Sequence, residues 1–156
     1  MAPEQKHLIR SSFAKVAPIA PAAAAMFYDR LFTLDPELRS LFRGDLKEQG
    51  RKLMGMIATA VANLDKLDAI TPAIQNLGRR HAAYGVSDAD YDTVGEALLW
   101  TLEQGLGSDF DDATRNAWAH CYGILSGAMK SAAAAQSAPN LVGHQGLFQT
   151  ETAAAL

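Results

Sequence analysis

Apolar side chains recur at three- and four-residue steps along most of this chain, the spacing that places them on one face of a helix. Leu8, Ile9, Phe13 and Val16 define the first such face over roughly residues 4–18, and Pro3 is placed to open it. Pro18 and Pro21 mark a corner, after which Ala24, Phe27, Tyr28, Leu31 and Phe32 predict a second helix over about 21–34. Asp35-Pro36-Glu37 reads as an N-cap followed by proline at the first helical position, opening a short segment with Leu38, Leu41 and Phe42. Past a loop at Arg43-Gly44-Asp45, a long stripe runs through Leu46, Gln49, Leu53, Met56, Ile57, Ala60 and Leu64. Gln49 is the polar exception in that stripe. Thr71-Pro72 repeats the cap-plus-proline signal and predicts a helix start before Ile74, Leu77, His81 and Tyr84, with Gly85 ending it. Ser87 and Asp90 have capping-box spacing ahead of a helix aligning Tyr91, Val94, Leu98 and Leu102. Gly105 and Gly107 predict a turn, and Asp111 can cap a last helix through Trp118, Cys121, Tyr122, Leu125 and Met129.

Composition sharpens this into a fold class. Leucine and alanine number 47 against 11 valines and isoleucines, which favours helix because straight-chain residues lose little rotamer freedom there. The expected class is all-α, with one domain over residues 1–130. From about 131 the chain turns alanine-rich with scattered Gly, Pro, Gln and Thr and no sustained period, which predicts a weakly packed, flexible tail over 131–156.

Charge and cysteine usage remove several function classes. A net charge of −3 with a pI near 5.7 supplies no extended cationic surface for phosphates, so a nucleic-acid partner is not expected. The single cysteine, Cys121, excludes an internal disulfide and a thiolate metal cluster. No apolar run is long enough to span a membrane and the amino terminus lacks a signal-peptide core, so a cytoplasmic protein is expected.

Chemistry then rests on the polar residues placed on inward faces: Tyr28, Gln49, His81 and Tyr91. Of the four histidines, His7 and His120 adjoin inward residues and fall toward solvent, and His144 lies in the tail. His81 alone follows Leu77 by four residues and precedes Tyr84 by three, on the buried side. No histidine pair at helical spacing offers a zinc or di-iron site. A lone inward imidazole is either a satisfied core histidine or an axial ligand of haem iron. Taken bare, Phe27, Phe32 and Phe42 read as core aromatics, Tyr28 as a phenol bonded to a backbone carbonyl, and Arg79-Arg80 as a solvated pair.

The whole pattern is more specific than its parts. FYDRLFTLDPELRSLF (27–42), QGRKLM (49–54), LGRRHAAYGV (77–86), YDTVGEALL (91–99) and AWAHCYGIL (117–125) resemble, in order and spacing, a bacterial globin. The likeness spans about residues 4–130 and is greatest to single-domain haemoglobins and the haem domains of flavohaemoglobins. It implies the three-over-three globin fold and a b-type haem. By this resemblance His81 is the proximal iron ligand, and Phe42 stacks on the haem. Tyr28, Gln49 and Leu53 meet bound dioxygen, Tyr91 is a proximal-side tyrosine, and Arg80 is a propionate partner. Ile57, Val86, Val94 and Leu98 complete the implied haem contacts.

Two departures bear on chemistry. Flavohaemoglobins pair the proximal histidine and tyrosine with a late glutamate, whereas the matching stretch here, Lys130 to Ala135, holds no carboxylate. Only about 26 residues remain beyond residue 130, where the likeness ends, too few for a flavin or nicotinamide domain, so any catalytic cycle is expected to need a separate reductase. The resemblance therefore implies reversible dioxygen binding, with nitric oxide dioxygenation as the alternative and gas sensing as a third. Nitric oxide and carbon monoxide are further implied ligands, and the expected assembly is a monomer or homodimer. A haem-free helical interaction module is the remaining reading.

Overall fold

Three long helices in the computed structural model start at side-chain caps. The structure describes residues 1–136, with six α-helices: α1 (Pro3–Val16), α2 (Ala20–Leu34), α3 (Leu46–Ala62), α4 (Leu67–Ala83), α5 (Asp88–Leu106) and α6 (Asp112–Gln136). Asp45 accepts from the Lys47 N–H at 2.9 Å and starts α3. At α5 the capping box is complete, the Ser87 hydroxyl accepting from the Asp90 N–H while the Asp90 carboxylate accepts from the Ser87 N–H. Asp111 accepts from the Thr114 N–H at 2.9 Å. Asp35 likewise caps a 3-10 turn, Pro36–Leu41.

Two expectations are corrected. The fourth helix begins at Leu67, so Pro72 lies inside it rather than at its start. The Thr71 hydroxyl donates back to the Leu67 carbonyl at 2.9 Å instead of capping. Ile70, in the added turn, packs against the core, and such packing outweighs the one backbone hydrogen bond that proline removes. The boundary expected at residue 130 falls within α6, which continues to Gln136, because Ala132 is buried on the face that continues from Met129. The tail from 137 to 156, with His144, lies outside the described residues.

The helices form the globin arrangement, with α1, α3 and α4 laid over α2, α5 and α6; α4 packs on α6, α2 on α3 and α5, and α1 on α6. Glycine sets two of these crossings. A β-carbon at Gly50 would stand 2.9 Å from that of Ala24, so α3 comes down directly on α2. One at Gly78 would collide with the backbone of Met129, so α4 lies hard against α6. The buried Trp118 indole N–H donates to the Ser12 hydroxyl at 2.8 Å, tying α6 to α1 at the other end of the core. What remains between α2, α3, α4 and α5 is a second apolar cluster, and the candidate residues gather there.

Candidate functional site

His81 stands in the last turn of α4, where the backbone is held by the helix ending itself. Gly85, at φ +95°, takes the left-handed conformation; the Gly85 N–H donates to the Ala82 carbonyl at 3.0 Å and the Val86 N–H to that of His81 at 3.0 Å. This is a Schellman ending, and Val86 is buried beside it. The imidazole is 0% exposed, and neither Nδ1 nor Nε2 has a hydrogen-bond partner among the described residues. Burial, aided by the neighbouring Arg80 charge, pushes its pKa down to about 3, so the ring is neutral. A buried neutral imidazole with two idle nitrogens is costly unless something coordinates or bonds them.

Tyr91, in the first turn of α5, faces it with ring centroids 6.3 Å apart. Its hydroxyl is also buried without a partner, and burial with the Asp88 charge lifts its pKa to about 12. The backbone of Tyr91 is anchored from α6: the Tyr122 hydroxyl donates to its carbonyl at 2.7 Å.

The opposite side is built on α2. Tyr28 is 3% exposed, in edge contact with Phe27 and Phe42 at 5.1 and 5.4 Å and stacked on Phe32 at 6.1 Å. Burial raises its phenol well above the usual range, so it is a protonated O–H donor at any physiological pH. The α2–α3 crossing brings α3 against it: a β-carbon on Gly50 would lie 3.9 Å from the Tyr28 ring. Gln49 precedes that glycine and Leu53 follows it by three residues, both 4% exposed. Phe42 is held at the corner by Arg39, whose guanidinium lies over Phe32 and donates to the Phe42 carbonyl at 3.4 Å.

The structure thus brings Tyr28, Phe42, Leu53, Val86, Tyr91 and Val94 into one buried cluster, with Ile57 and Leu98 packed against it. Gln49 is buried at the α2–α3 crossing, and Arg80 is half-buried next to His81. Ile57 and Leu98 also line, with Leu53, Phe27, Val16 and Phe13, an apolar cavity of about 20 Å³. That volume suits a single water-sized or diatomic guest, and its lining offers water little to bond.

The donor set fits an iron porphyrin. Among the described residues no group of His, Cys, Asp and Glu could hold a metal ion by itself. One idle imidazole in an apolar cluster suits an iron whose other ligands come from the porphyrin ring. Residues 25–129 match the globin family model. The chain belongs to the globin family.

Its relatives span a wide range. This globin is 34% identical over 140 residues to the neuroglobins of Dissostichus mawsoni and Danio rerio, covering 81% of this chain and 88% of each of theirs. Among solved structures it is similar to an engineered carbene transferase, a proposed nitric oxide dioxygenase from Rhodothermus marinus. That likeness has a TM-score of 0.80 at 27% identity and covers 88% of this chain and 96% of that one. Membership implies a haem cofactor and gas ligands such as dioxygen.

Sequence reading overlooked two groups in this globin. Tyr122 looked like one more apolar position of α6, yet its hydroxyl anchors Tyr91. Lys130 drew notice only because no carboxylate stood there, yet its ammonium lies 5.7 Å from the centre of the Tyr91 ring. Neither contact leaves a periodic signal, since each joins residues more than thirty positions apart. The glycines at 50 and 78 were legible in principle, as isolated glycines inside amphipathic helices.

Proposed function

We propose that this globin holds a b-type haem with His81 as the axial ligand and binds dioxygen reversibly on the Tyr28 and Gln49 side. The observation that carries this is the pair of buried, unpartnered nitrogens of His81, on a ring held neutral and therefore able to donate a lone pair. When bound, the haem supplies an iron with one coordination position open to a diatomic ligand. Phe42, Leu53, Val86 and Val94 would exclude water from the macrocycle, and Arg80 would pair with a propionate. Tyr28 would present a phenolic O–H, and Gln49 an amide N–H, to the partial negative charge of dioxygen. In so dry a setting each such bond is worth about 1.5–3 kcal/mol, or about ten- to a hundred-fold in ligand release.

Absorption spectra of the reduced protein, with and without dioxygen, test this directly in wild type and His81→Gly. Wild type should show a five-coordinate ferrous spectrum that converts on oxygenation, and His81→Gly should retain little haem until free imidazole is added. Stoichiometric, normally ligated haem in His81→Gly without imidazole would refute the assignment.

The likeness to the Rhodothermus marinus protein favours a second reading, an enzyme that combines dioxygen with nitric oxide to give nitrate. Tyr28 and Gln49 would serve both activities, so the pocket does not separate them. Repeated nitrate-forming turnovers with an added reductase would establish the enzyme, and a single stoichiometric turnover the carrier.

A further inference from the structure

A cation and the imidazole of His81 both stand close to the ring of Tyr91. The Lys130 ammonium, on α6, lies 5.7 Å from the centre of the Tyr91 ring, and that ring is centred 6.3 Å from the imidazole of His81. The charge is therefore no more than about 12 Å from the imidazole. Its side chain is 32% exposed, so water screens it less than a freely solvated lysine. Asp92 stands at the limiting ion-pair distance of 4.0 Å and is 85% exposed, so this exposed carboxylate offsets the charge only in part. Asp88 acts on Tyr91 from the same end of α5 but is exposed. Arg80 adds a second positive charge beside His81. The Tyr122 hydroxyl, bonded to the Tyr91 carbonyl, ties the start of α5 to α6, the helix that carries Lys130.

We propose that Lys130 is an electrostatic positioning residue for the proximal side, whose positive charge, held on the face of Tyr91, keeps electron density off His81 and favours ferrous over ferric iron. The inference rests on His81 being the axial ligand. A positive charge opposes the extra positive charge of ferric iron and disfavours imidazolate character in the ligand. At an effective dielectric of about 20, a unit charge about 12 Å away biases a one-electron equilibrium by about ten-fold, and partial exposure reduces this to about three-fold.

The test is spectroelectrochemistry of the haem-loaded protein, together with the iron–histidine stretching frequency from resonance Raman. Lys130→Met retains most of the aliphatic stem, and it should shift the ferrous-to-ferric ratio at fixed potential three- to ten-fold toward ferric. That is a fall in midpoint of about 30–60 mV at 59 mV per ten-fold. Lys130→Glu should lower the midpoint further and raise the iron–histidine frequency, whereas Lys130→Arg should keep the wild-type values. A merely structural lysine would leave all of these unmoved once haem is bound. A normal iron–histidine band with an unchanged midpoint in both Lys130→Met and Lys130→Glu would overturn the role of Lys130 alone. Absence of any iron–histidine band in the wild type would refute the His81 assignment, and this inference with it.

Discussion

Replacing His81 with leucine should stabilise the haem-free protein while abolishing haem retention. The imidazole is wholly buried and both of its nitrogens lack partners, so the haem-free fold carries unsatisfied polar groups in its core. Each such group costs about 1–3 kcal/mol, and an apolar side chain of similar volume removes the penalty. Allowing for imperfect repacking, the leucine variant should gain about 1–3 kcal/mol at pH 7. Acid should widen the gap. The folded pKa near 3 lies below the ordinary 6.5, so on acidification the unfolded chain takes up the proton first. Wild-type stability is therefore lost as pH falls below 6.5, by about 2 kcal/mol between pH 7 and pH 5, and the leucine variant escapes that part of the loss. Urea denaturation of both haem-extracted proteins at the two pH values reads the whole effect. A wild type more stable than His81→Leu at pH 7, or a difference independent of pH, would mean that the imidazole is satisfied within the chain and not reserved for a metal.

Further expectations concern the two sides of the pocket and the helix contacts that frame it. Tyr28→Phe should raise the dioxygen dissociation rate about ten-fold or more, with carbon monoxide responding much less and Gln49→Leu acting more weakly in the same direction. Stopped-flow release of both gases checks this, and unchanged dioxygen release with intact haem would make the phenol structural. Gly78→Ala should destabilise the fold by about 1–3 kcal/mol and weaken haem retention, because its methyl group meets the Met129 backbone and must force α4 off α6; thermal melting with and without haem measures both. Gly85→Ala has open space for the methyl group but a φ of +95°, so a loss of about 1–2 kcal/mol in urea denaturation should come from backbone strain alone.

Much of this globin was legible in its residues. The period of apolar positions determined six main helices and their inward faces, because burying a stripe on a 3.6-residue repeat has essentially one solution. Ser87 and Asp111 determined two helix starts, since each supplies an acceptor for a backbone N–H at the start of its helix, whereas Asp45, read only as part of a loop, caps α3 as well. The inward placement of Tyr28, Gln49, His81 and Tyr91 followed from the same stripes, and all four are buried. Where local signals competed with packing they misled. Thr71-Pro72 has the form of a helix start, but α4 begins before it, at Leu67, with Ile70 half-buried against the core. The alanines after residue 130 have no marked apolar face, yet α6 continues because Ala132 has a core to enter. Tertiary structure alone decided which inward residues face one another. Gly50 lets α3 close on α2 and brings Leu53 into one cluster with Tyr28; Gly78 seats α4, and with it His81, against α6; and α6 brings Tyr122 to the carbonyl of Tyr91 and Lys130 to its ring. Periodicity along a single helix determines only which side of it is buried. The partner across the core is chosen by how closely two backbones can approach, and that depends on residues far apart in the chain.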